Sequence, residues 1–91
     1  MNNLNSGITD LLFKLAGEKY RDLVVIALAW NPLVGALLSK RSKILKFEGS
    51  VLFVKISNHV WMQEFVVLRP EILRDLREKT RIKIDNVIYC L

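Results

Sequence analysis

The side chains with the most chemistry to offer form a cationic run. Lys40, Arg41, Lys43 and Lys46 fall within residues 39–47, a stretch without acids until Glu48, and Lys55 follows shortly after. Cations spaced this way on a loop and hairpin can contact phosphates, giving binding that is salt-dependent and tolerant of sequence. Phe53, two residues before Lys55, has two readings. It is either a stacking platform for bases on an open sheet face, as single-strand binders use, or a core ring under another element. Arg69 and Arg74 add positive charge farther along. The candidate nucleic-acid-binding set is therefore Lys40, Arg41, Lys43, Lys46, Phe53, Lys55, Arg69 and Arg74.

Catalytic groupings are missing from the sequence. His59 is the only histidine; it has no Ser, Cys or carboxylate at a diagnostic spacing and reads as an exposed residue at a helix start. There is no Walker A, GxGxxG, HExxH or EF-hand pattern. Glu64 and Glu71 are single carboxylates without a partner. Cys90 is the one cysteine, so no internal disulfide is expected and a reducing compartment fits. No Cys/His spacing suggests zinc, and Cys90, in an apolar run, reads as structural. The expectation is a protein that is not an enzyme, with no catalytic, cofactor or metal residues.

Charge is unevenly distributed. The net value is +5, yet residues 1–38 hold three basic and three acidic side chains, while residues 39–91 hold eleven basic and six acidic. A basic half beside a neutral half suits a polyanion or an acidic protein as partner; a merely solubilising surface would look the same. At 91 residues and 52% apolar content the chain has enough apolar surface for one folded core.

The elements that must position these residues follow from periodicity. Ile8, Leu11, Leu12 and Leu15 predict a short amphipathic helix over residues 4–16, docked on the domain or free for a partner. A second, more apolar helix runs from Glu18 to Trp30. Asn31-Pro32 is expected to end it and start another, Pro32 to Ser39. Gly35 inside that helix suggests close approach of another backbone or of a large ring such as Trp61. Leu23 to Leu38 is 16 residues without a charge. At ~1.5 Å per residue it covers ~24 Å, short of a ~30 Å hydrocarbon core, so a buried helix pair is expected rather than a membrane span. The N-terminus lacks the basic and apolar regions of a signal peptide.

Lys43–Phe47 and Val51–Ile56 predict a hairpin closed by Glu48-Gly49-Ser50. Leu52, Val54 and Ile56 form the core face; Val51, Phe53 and Lys55 form the other. Ser57-Asn58 caps the next helix, where Trp61, Phe65, Leu68, Ile72 and Leu76 form one apolar stripe. Pro70 predicts a kink or break at Leu68-Arg69. Arg69, Arg74 and Arg77 with Glu71, Asp75 and Glu78 read as an exposed mixed-charge face. Residues 82–91 predict a closing strand, with a bulge at Asp85-Asn86 to reconcile its two phases. The order is α-α-β-β-α-α-β. This is an α+β, KH-like two-layer domain over residues 18–91, with a three-stranded sheet covered by helices on one face and an N-terminal helical extension over residues 1–17. A KH domain clamps nucleotides with a GxxG loop, and the corresponding Leu68-Arg69-Pro70-Glu71 has no glycine.

The order of motifs is more specific than any one of them. Ala29-Trp30-Asn31-Pro32-Leu33-Val34-Gly35, then Gly49-Ser50-Val51-Leu52-Phe53-Val54-Lys55, then Val60-Trp61-Met62-Gln63-Glu64-Phe65 and Leu68-Arg69-Pro70-Glu71-Ile72-Leu73 resemble the DciA family of bacterial replicative-helicase operators. The likeness covers about residues 8–91. It departs at Phe65, where leucine is usual, and after the last strand, where many relatives continue as a basic tail. The resemblance implies a KH-like, non-ATPase adaptor acting in the cytoplasm at the replication fork. Its implied partners are a hexameric DnaB-type helicase and single-stranded DNA, with no membrane and no small-molecule substrate. Trp30, Gly35, Leu52, Val54, Trp61 and Leu68 match its signature and read as packing residues. The alternatives are a KH-like RNA-binding module, for example ribosome-associated, and a pure protein-interaction domain.

Overall fold

The computed structural model describes residues 18–91; the extension expected over residues 1–17 lies outside that range. Helix α1 (Glu18–Lys40) leads into strands β1 (Ser42–Glu48) and β2 (Val51–Ile56), helix α2 (His59–Thr80) and strand β3 (Asn86–Cys90). The sheet order is β1-β2-β3, with β2 central, antiparallel to β1 and parallel to β3. The expected α+β class holds, with two helical elements and a three-stranded mixed sheet among the described residues.

The core forms where the helix stripes meet the inward face of β2. Leu52, Val54 and Ile56 are fully buried, as their alternation requires, with Phe65, Ile72 and Leu76 of α2 and Ile26 and Trp30 of α1. Trp30 stacks on Phe65, with centroids 6.4 Å apart and planes at 6°, and Phe65 tilts against Tyr89 at 5.4 Å. The Trp30 Nε1–H donates to Ser42 Oγ at 2.9 Å, and the Ser42 hydroxyl donates to the Leu38 carbonyl at 2.9 Å. That chain ties the end of α1 to the start of β1. Asn58 caps α2 as expected, its Oδ1 accepting from the Trp61 N–H at 3.2 Å.

Both proline expectations are corrected. Residues 18–40 do hold two helical segments as expected, but they meet at a kink at Gly35 (φ 90, ψ 163), not at Asn31-Pro32. Helix α2 runs unbroken through Pro70. A proline in a helix leaves the carbonyl four residues earlier without its donor. Those carbonyls belong to Leu28 and Val66, whose residues are 61% and 45% exposed, so water can take the place of the lost bond. Gly35 has a different reason from the expected close approach of a backbone or a ring. Nothing lies within 4 Å of the place its Cβ would take; its backbone torsions are in a region open essentially to glycine alone. The described order is thus α-β-β-α-β, and Leu68-Arg69-Pro70-Glu71 is helix, not a clamp loop.

The bulge is also elsewhere. β1 carries it between Ile44 and Lys46, because Ile44 and Phe47 both pack toward the core although three residues apart. Residues 81–85 are not strand, and β3 begins only at Asn86. Arg77 holds that approach segment, its Nε–H donating to the Ile84 carbonyl at 2.7 Å, so Ile84 is buried without pairing in a sheet. The hairpin loop is two residues, Gly49 (φ 57) and Ser50 (φ 63), the mirror-image turn that suits strand twist.

By length and composition, Tyr20–Lys40 would also suffice to cross a membrane. Ile26 and Trp30 anchor it in the core at 0% and 2% exposure, but the helix as a whole is mostly unburied, with Leu28 and Leu37 61% and 60% exposed, so the expected buried helix pair is corrected to one that is buried along one edge only.

Candidate nucleic-acid interface

The pairing register sets what stands on the sheet face turned away from the helices. Lys43 pairs with Lys55, and Lys55 with Cys90, in one row across the three strands; Lys46, Phe53 and Ile88 form the next. The third row is Glu48, Val51 and Asn86. The β1 bulge makes the middle row possible, since it turns Lys46 to the side of Phe53 while Phe47 goes inward.

Phe53 therefore resolves as a residue of the open face. It is half-buried, and the Lys46 ammonium lies 4.8 Å from its ring centroid. Lys46 also meets Glu48 Oε1 at 3.4 Å, an exposed pair of the kind that contributes little to stability. Lys43 and Lys55 sit directly opposite each other, both exposed. Like charges across a strand pair are destabilising, so this row is a place where an anion would relieve repulsion. The face combines cations with one aromatic ring, the pattern of a surface that holds phosphates and stacks a base.

Lys40 and Arg41 sit at the rim. Lys40 ends α1, and the Arg41 guanidinium stacks over Trp61 at 5.2 Å. The Arg41 backbone is fixed on both sides: its N–H donates to the Leu38 carbonyl at 3.1 Å, and its carbonyl accepts from Ser57 at 3.0 Å. It therefore lies where β1 begins and β2 runs into α2, the same end of the sheet as Lys43 and Lys55.

The chain matches the family model described as "Dna[CI] antecedent, DciA" over residues 3–88. It belongs to the DciA family. Membership places it in DNA replication, in the loading of the DnaB-type helicase, among adaptors rather than catalysts, and so in the cytoplasm. No curated protein and no solved structure matches the chain significantly.

The remaining residues of the candidate set do not join this DciA sheet face. Arg74 is exposed on α2, against Asp75 at 3.5 Å, and α2 covers the opposite side of the sheet. Arg69 is half-buried, its guanidinium 5.1 Å over the Tyr89 ring, and is no part of a solvated mixed-charge face. Arg77 is committed to the carbonyls of Ile84 and Asp85. Burial pushes the Tyr89 phenol up from 10.0 to about 12, against the downward pull of Arg69. Cys90, expected to be structural, is exposed beside Lys55. Among the described residues no group of His, Cys, Asp and Glu could hold a metal ion. A groove of about 560 Å³ between the start of α1 and β1 is lined by Asp22 and Glu48 against Lys46, a charge balance unsuited to phosphates. Sequence reading missed the Arg41–Trp61 and Arg69–Tyr89 stacks, since each joins residues 20 apart on different elements.

Proposed function

We propose that this DciA family member is a non-enzymatic adaptor that binds the hexameric replicative helicase and guides it onto single-stranded DNA. In this reading the DNA lies on the open sheet face. Lys43, Lys46 and Lys55 neutralise phosphates, Phe53 stacks a base, and Lys40 and Arg41 extend the track at the rim. Arg69 and Arg74 are left out of the DNA surface. The observation that carries the reading is the register itself, which lines two lysines in one row beside a lysine and a ring in the next. Two weak contacts on one chain, one for protein and one for DNA, raise each other's effective concentration. The two-layer α+β architecture suits a KH-like scaffold used without its clamp loop, preceded by a helical extension over residues 1–17.

The test is co-elution with a purified DnaB-type helicase from the same source, with and without single-stranded DNA. A complex that DNA strengthens is expected. Separate elution in both conditions would remove the adaptor reading for this chain.

A further inference from the structure

β3 is an edge strand, hydrogen-bonded to β2 alone among the described residues. An exposed edge is a template for one more strand. At this strand two polar atoms have nothing to bond among the described residues: Arg69 Nε and the Tyr89 hydroxyl are both buried without a hydrogen-bond partner there. Such groups in a native fold call for an explanation. Arg69 can only donate, and the phenol can donate as well, so a ligand that satisfies both is an acceptor. Arg69 also has no carboxylate within ion-pair distance among the described residues.

A chain of phosphates does not fit here. Arg74 faces outward with Asp75, and Arg77 is spent on backbone carbonyls, so neither extends Arg69 into a track along α2. The surroundings are apolar: Val66, one turn before Arg69, is 45% exposed, Ile88 41% and Leu91 50%. A strand added to β3 would place alternate side chains on the helix side, near Tyr89 and Arg69, and on the open side, near Ile88. We propose that the β3 edge with Arg69 and Tyr89 is a docking surface for an extended segment of a partner protein that carries a carboxylate between apolar side chains. Main-chain bonds supply the pairing and Arg69 supplies the selectivity, as in other strand-addition sites. The adaptor reading names the helicase as that partner, but the surface is tested without it.

The probe is an acetylated peptide of alternating Val and Glu, titrated into the isotope-labelled full chain and followed by amide NMR. Shifts at residues 86–91 and at the Arg69 Nε–H are expected. Arg69→Ala should weaken binding at least tenfold, and a Val/Lys peptide should not bind. Arg69→Gln serves as the second variant if Arg69→Ala disturbs the fold, which the dispersion of the β3 amides reports. Shifts centred on Lys43, Lys46 and Lys55, equal binding of the Lys peptide, concentration-dependent pairing of two chains through β3 instead, or no shifts at millimolar peptide would each overturn the proposal. In a parallel arm, Arg69→Ala should lose the helicase while a Lys43→Glu/Lys46→Glu/Lys55→Glu variant keeps it. Equal co-elution of wild type and Arg69→Ala removes this surface as the helicase site. Absence of any helicase complex, with the peptide shifts intact, supports the surface and removes the adaptor reading.

Discussion

Gly35 shows how one residue sets the path of a helix. Its torsions, φ 90 and ψ 163, are closed to side-chain-bearing residues for backbone reasons alone, since nothing crowds the Cβ position. Gly35→Ala should therefore cost about 1–3 kcal/mol, read as a shift in urea midpoint at constant slope. The Tyr89 hydroxyl is the converse case, a polar atom buried without a partner among the described residues. Removing an unsatisfied hydroxyl costs nothing in hydrogen bonding, so Tyr89→Phe should range from neutral to about 1 kcal/mol more stable. The pH dependence has a definite sign. The folded phenol keeps its proton up to about 12, the unfolded one only to 10.0. The contribution is complete below the lower value and is lost as pH rises from there toward the upper one. Alkaline unfolding followed between those limits should be less steep in Tyr89→Phe than in the wild type; equal slopes would place the titration elsewhere.

At the scale of elements, α2 accepts Pro70 because the carbonyl it deprives lies on an exposed face. The helix still loses one bond, so Pro70→Ala should stabilise by about 1–2 kcal/mol, the gain in helix propensity less the freedom returned to the unfolded chain. No change in thermal midpoint would mean that α2 is adapted to the proline. The sheet is the element that gathers charge, and the β1 bulge is what places Lys46 beside Phe53. If DNA lies on that face, exchanging Lys43, Lys46 and Lys55 for glutamate should flatten the plot of log affinity for single-stranded DNA against log salt. Each lost phosphate contact removes about 0.7 from the slope. An unchanged slope would put the DNA on another surface.

For the whole molecule, the decisive feature is that the sheet has a covered face and an open one. Helices α1 and α2 supply the core that stabilises it, with Phe65 held between Trp30 and Tyr89. Truncating that ring, Phe65→Ala, should cost about 3–5 kcal/mol, a large part of the total stability of a small domain. A loss below about 1 kcal/mol in denaturant titration would show that the ring cluster is not the keystone. Among the described residues the open face and the β3 edge are both uncovered, and they adjoin at Ile88, which stands in the row of Lys46 and Phe53. DNA on the one and a protein segment on the other would be held side by side.

Much of this was legible in the residues because it depends on local periodicity. The alternation of Leu52, Val54 and Ile56, the stripe from Trp61 to Leu76, the Asn58 cap and the ordered motifs of the DciA family all follow from short-range spacing. The α+β class, the hairpin and the basic stretch came with them. The prolines misled, because whether a lost backbone bond breaks a helix depends on water reaching the freed carbonyl, which is a matter of burial. The bulge was misplaced because inward phase is set by what the strand packs against; Ile44 and Phe47 face one core, and Ile84 reaches it from an irregular segment held by Arg77. The candidate site divided for the same reason. By itself the sequence determined which residues carry charge and which carry rings. Only the tertiary structure decided that Lys43, Lys46, Lys55 and Phe53 share a face while Arg69 folds over Tyr89, because register and packing join residues that no short-range pattern connects.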